Sequence, residues 1–309
     1  LVNRFPNDWR SHHAHARQLV SQGDLARSID AFERAARLAP RDTDIRTALG
    51  FLYWKQGAPE KAIAALQAQL EADENNLHAL YYISKIELER GNLAAAIGYG
   101  EQLVNRFKRA MGQNYADNQR RDMLLDTLAT LARASFRNGA VTRCLEYVYE
   151  GIDLDSGDRF GFLALAGDVR ILQEKFDEAE QFYARAVQAD TGNALYRFKL
   201  AQAILSSGKK LQASRILKDL YENDRAFVKR QDVHLIYADL LFRQDRHADA
   251  KAVLENLIEE FPHVEAGYLA LARFHTDAGR VNEGLAVLDR GLAHIRTALA
   301  ARRAWVFGT

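Results

Sequence analysis

Thr43–Asn76, TDIRTALGFLYWKQGAPEKAIAALQAQLEADENN, decides the fold. It reads as two short amphipathic helices around a tight turn. Leu49, Gly50, Leu52 and Tyr53 recur at helical spacing in the first half. Gly57 marks the turn, and Pro59 opens the second helix, where a missing N–H costs nothing. Ala62, Ile63, Leu66 and Leu70 form the apolar stripe that follows. A similar pattern restarts at Leu77, 34 residues after Thr43. Such a period is the mark of a helical solenoid, whose single unit cannot bury its own apolar face.

Aligning the turns gives eight units, starting near Trp9, Thr43, Leu77, Leu125, Phe160, Ala194, Gln231 and Glu265. Their eighth residues are Ala16, Gly50, Ser84, Ala132, Gly167, Ala201, Ala238 and Ala272. Their twentieth are Ser28, Ala62, Ala96, Cys144, Ala179, Ala213, Ala250 and Gly284. All are small, so facing helices can approach at the short end of the 8–10 Å packing range. Gly23, Gly57, Gly91, Gly139, Gly208 and Gly279 occupy the turn, with Glu174 and Asp245 in its place in units five and seven. Pro6, Pro40 and Pro262 stop second helices.

These residues resemble the tetratricopeptide repeat. Leu49, Gly50, Tyr53 and Ala62 carry the resemblance, with the Ser28, Phe32, Ala35, Pro40 series, and it extends from about Trp9 to Arg296. It implies an all-α fold, a right-handed α-solenoid superhelix of tandem helix-turn-helix repeats. Residues 1–309 then form a single array, with 1–8 ending a preceding repeat, 108–122 an insertion and 297–309 a capping helix. A smaller insertion falls at Ala226–Arg230. The opening LVNRF recurs at Leu103–Phe107, so the chain is expected to begin inside a repeat of a longer protein. His12 and His15 stand where a large apolar pair is usual, and Gly100 where a bulky residue is usual. Units one and three are therefore expected to pack less tightly.

Composition bounds the chemistry. Of 309 residues, 48% are hydrophobic and 27% charged, as in ordinary folded proteins. A net charge of +1 gives no support to nucleic-acid binding. The single cysteine, Cys144, excludes an intrachain disulfide and a cysteine-based zinc framework. The absence of a long apolar run predicts no membrane insertion of this segment. The excess of Arg over Lys points to a GC-rich bacterial source.

Catalytic motifs are missing: there is no HExxH, G-x-S-x-G, dinucleotide fingerprint or Walker loop. Ser206–Lys210 falls where a repeat turn is due and lacks the spacing of a phosphate loop. His12 and His15 are spaced to chelate, but a closed metal site needs more ligands, and both occupy core slots. Neither a metal nor a cofactor is expected.

The resemblance implies a concave groove lined by the first helices. Its inward positions in units one to four are Arg10, His13, Arg17, Phe51, His78, Tyr81, Lys85, Arg133 and Arg137, a basic set with aromatics. Units five to eight give Asp168, Phe198, Gln202, Asp232, Leu235, Asp239 and Arg273, more acidic and apolar. The clamp that some members use for chaperone C-termini is not reproduced, since His13, Arg17, Ala48, His78 and Tyr82 occupy its places. The expectation is a non-enzymatic scaffold binding a protein or peptide with acidic and aromatic side chains. Alternatives are an assembly factor of a bacterial envelope, secretion or exopolysaccharide-export machine, a recognition module of a larger enzyme, and a self-associating structural element.

Overall fold

Several helices begin with a polar cap, and each hairpin ends its first helix in a left-handed turn. Asp8, Asp24, Asn76 and Asn193 accept hydrogen bonds from backbone N–H groups of the first turn that follows them, at 2.9–3.3 Å. The turn glycines adopt φ of 75° to 81°. In all eight hairpins the residue after the turn position donates its N–H to the carbonyl five residues back, from Asp24 to Leu19 through Arg280 to His275, at 2.8–3.1 Å. The geometry persists where glycine is absent, with Glu174 and Asp245 both at φ 58°. An L residue is strained there. Glu174→Gly and Asp245→Gly are each expected to raise stability by about 0.5–1 kcal/mol, after the entropy lost by a glycine. Urea melts of the single variants check this, and an unchanged or lower midpoint would refute it.

The structure, a computed structural model, describes residues 5–39, 43–111, 118–155, 157–224 and 230–307. Among these it is an all-α solenoid without strands. The hairpins are α1 (Trp9–Ser21) with α2 (Leu25–Leu38), α3 (Thr43–Lys55) with α4 (Pro59–Ala72), and α5 (Leu77–Arg90) with α6 (Leu93–Met111). Next come α7 (Asn118–Arg137) with α8 (Val141–Leu154), and α9 (Phe162–Leu172) with α10 (Phe176–Ala189). The last are α11 (Ala194–Ser206) with α12 (Lys210–Asn223), α13 (Gln231–Phe242) with α14 (His247–Glu260), and α15 (Glu265–Asp277) with α16 (Val281–Phe307). The chain divides into two compact units, Leu1–Val169 and Arg170–Thr309.

Both series of small residues are buried throughout. In unit three they are joined directly, since Ser84 Oγ donates to the Ala96 carbonyl at 2.8 Å. Cys144 occupies one such slot, fully buried, and burial pushes its thiol pKa up to about 11. Unit three is not loosely packed: a Cβ on Gly100 would stand 2.8 Å from Leu131 Cδ2 and 3.1 Å from Ser84 Oγ, so Leu131 fills the space. Unit one is closed in a similar way. His12 is buried and its Nε2 donates to the Pro6 carbonyl at 2.8 Å, as the Tyr268 hydroxyl does to the Pro262 carbonyl in unit eight. His12 thus does the work of a tyrosine.

The expected insertion at 108–122 falls partly outside the described residues, at 112–117. Its flanks extend α6 and α7 to 19 and 20 residues. They are tied to α8, through Lys108 with Glu150 at 2.7 Å and through Arg121, which donates to the Leu154 carbonyl. Pro40 and residues 225–229 also lie outside the described residues. Residues 297–307 continue α16.

Candidate functional site

In the first compact unit, α3, α5 and α7 pack in succession and present one face. Phe51 and Trp54 come from α3, and Tyr81 and Tyr82 from α5. Ring centroids stand 5.3 Å apart for Phe51 and Tyr82, 6.0 Å for Trp54 and Tyr82, and 5.1 Å for the two tyrosines. All four rings are half-buried. Lys55 places its ammonium over Phe51 and Trp54, at 5.6 and 4.9 Å. The Trp54 indole donates to Glu89 at 2.7 Å. The result is an aromatic platform with its polar edges already oriented.

The platform is clamped to α7 by a three-membered network. Lys85 Nζ lies 2.6 Å from Asp126 Oδ2, and the Tyr81 hydroxyl donates to the same oxygen. Burial, and then that bond, raise the Tyr81 pKa well above the usual phenol range. Burial alone raises that of Tyr82. On α7, Arg133 donates to the Phe160 carbonyl at 2.7 Å and Arg137 to the Leu88 carbonyl at 3.1 Å. A carbonyl holds a guanidinium in place without cancelling its charge. Arg133 and Arg137 therefore stay net positive and exposed, whereas the charge of Lys85 is offset by Asp126.

The residues expected from sequence separate into three groups. Phe51, Tyr81 and Lys85 come together as described. Arg17 and His78 are exposed on α1 and α5, and Arg10 is exposed with its guanidinium 5.0 Å from the Trp9 ring. His13 is turned onto Trp9 and Phe32, with centroids at 6.1 and 5.5 Å, and helps pack α1 against α2. Phe198, expected on the inward face of the later units, is a core residue at 2% exposure. Sequence reading missed Lys55, Trp54 and Tyr82. Lys55 holds the thirteenth place in its unit, as Arg137 does, so applying that place to every unit would have found it.

Among the described residues no cluster of histidine, cysteine and carboxylate side chains could hold a metal ion, and no helix is long and apolar enough to cross a membrane.

A family profile described as tetratricopeptide repeat matches residues 19–86 and 241–304. Protein O-mannosyl-transferase TMTC3 of Homo sapiens is 28% identical over 252 residues, which is 79% of this chain. The chain spans about a quarter of the length of that curated relative, 25%. The chain is also similar to a solved tetratricopeptide repeat protein from Parabacteroides merdae, with a TM-score of 0.60 and 12% identity over 86% of this chain and 98% of that one. PilW, a widely conserved type IV pilus biogenesis factor, gives a TM-score of 0.56 and 12% identity over 70% of this chain and 93% of its own. At these identities the structural likeness is one of fold.

Proposed function

From the premise that the chain carries tetratricopeptide repeats, a fold of protein-interaction scaffolds, we propose that it binds a protein or peptide segment on its first helices and catalyses no reaction. The site is the groove expected at Arg10, Arg17, Phe51, His78, Tyr81, Lys85, Arg133 and Arg137, extended by Lys55, Trp54 and Tyr82. His13 acts from beneath as a packing residue. One observation carries the reading: four half-buried aromatic rings cluster with the Lys55 ammonium over two of them, on helices packed in succession with α7, whose exposed Arg133 and Arg137 keep their charge. Such a surface favours a partner that brings carboxylates to the arginines and aromatic or apolar side chains to the rings.

The test uses the full chain and a fluorescein-labelled peptide alternating Glu and Phe, read by anisotropy. Trp54→Ala is expected to weaken binding about thirtyfold, the scale of a hot-spot residue. Arg17→Glu should weaken it less and flatten its salt dependence. Native circular dichroism would show that neither change acts through unfolding. Binding that survives both variants would sink the assignment.

A second reading is a recognition module of a larger enzyme, favoured by the match to one quarter of an O-mannosyl-transferase. A catalytic domain encoded in frame beside this segment would support it. The likeness to PilW, being one of fold, brings no role in pilus assembly to this chain.

A further inference from the structure

The second compact unit holds a pocket that shares no residue with the aromatic platform. It has a volume of about 440 Å³ and lies between α13 and α15, above α14. That size is within the roughly 300–1,000 Å³ of small-molecule and side-chain sites. Its floor is apolar: Leu235, Ala238 and Phe242 from α13, and Ala270 and Phe274 from α15. Phe242 and Phe274 meet edge to face, with centroids 5.9 Å apart.

The rim is charged in a regular pattern. Asp239 and Arg243 pair on α13 at 2.7 Å, and Arg273 and Asp277 pair on α15 at 3.5 Å. Counted from unit starts at Gln231 and Glu265, Asp239 and Arg273 are both ninth, and Arg243 and Asp277 both thirteenth. At each level an acid on one helix therefore corresponds to a base on the other. The rim has no net charge, and every charge already has a counter-ion on its own helix.

We propose that this pocket binds an uncharged, extended peptide segment through one bulky apolar side chain. The side chain displaces water from the phenylalanine floor. The rim carboxylates accept from backbone N–H groups, and the guanidinium groups donate to backbone carbonyls, so both signs are used by a neutral chain. A charged side chain gains little, because it must compete with an ion pair already formed.

The test uses the full chain carrying Trp54→Ala, which disables the acidic and aromatic site of the first unit, and end-capped, fluorescein-labelled peptides of serine and glycine with one central tryptophan, flanked by Ser, Glu or Lys. The serine-flanked peptide should bind tightest, with less than a twofold change between 0.05 and 0.5 M salt. Ala270→Trp, which fills the pocket, should weaken it at least tenfold. Arg273→Glu, at a largely exposed side chain, should leave the fold intact and makes the rim acidic. It should shift preference at least fivefold toward the lysine-flanked peptide. Restoring Trp54 should leave the affinity for the serine-flanked peptide unchanged, and Ala270→Trp in the otherwise native chain should leave the Glu–Phe peptide of the first unit unaffected. That separates failure of this site from failure of the other. The proposal is overturned by preference for the Glu-flanked peptide, by equal binding to the Ala270→Trp protein, or by no binding at millimolar peptide. It is also overturned if the free protein self-associates and Ala270→Trp abolishes that association, since a second copy would then be the occupant.

Discussion

Gly50→Leu is expected to cost about 3 kcal/mol, and adding Leu66→Ala is expected to recover a large part of that loss. A Cβ on Gly50 would stand 2.4 Å from Leu66 Cγ and 2.6 Å from its Cδ2. Leu66 is fully buried in the core between α4 and α5, so it has nowhere to retreat. Overpacking of this kind costs about 1–3 kcal/mol, and the upper end applies to a whole leucine. Leu66→Ala alone should cost about 2–5 kcal/mol through the cavity it leaves. In the double variant the new leucine occupies that cavity. The two penalties should fall short of additivity by more than about 1 kcal/mol. Urea denaturation of the four proteins measures this. Additive penalties would mean that the two side chains do not compete for one space.

Gln69→Leu is expected to move stability the other way, upward by about 1–3 kcal/mol. Gln69 is fully buried on α4, and neither its amide oxygen nor its amide nitrogen has a partner among the described residues. It stands twenty-seventh in its unit, where others carry Ala35, Leu103, Ala186, Leu220 and Leu257. Leucine already fills the slot three times and has nearly the volume of glutamine. Thermal and urea melts check the gain. An unchanged or lower midpoint would mean that the amide is hydrated inside the protein and contributes to stability.

The repeat was legible because packing imposes one rule at one place in every unit. Two small residues must face each other where helices approach, and that requirement survives changes in nearly everything else. The turn was legible even where glycine is missing, since Glu174 and Asp245 fell in register and adopt the same left-handed backbone. The candidate site was less so. Helical spacing tells which way a side chain leaves its helix, and that placed Phe51, Tyr81 and Arg133 on a common face. It does not tell what a neighbouring unit brings to meet it. Lys85 and Tyr81 find Asp126, more than forty residues away, across the stretch where the period breaks. Phe198 leaves α11 at a nominally inward position but is covered by the core. His13 is turned onto Trp9 and Phe32, a contact with the second helix that spacing along α1 alone does not show.

Among the described residues, helices in substantial contact are next to each other in sequence or one apart. Closing such contacts demands only short loops, so the entropy cost of each step is small and is recovered at once. Folding can start at any hairpin and spread outward, with no single obligatory nucleus. The same locality lets a gene gain or lose a whole hairpin without redesigning the rest, provided the small pair at the seam is kept. Lengthening by duplication is therefore a natural route for a chain built this way, and each new hairpin adds fresh surface for recognition while leaving older surfaces intact.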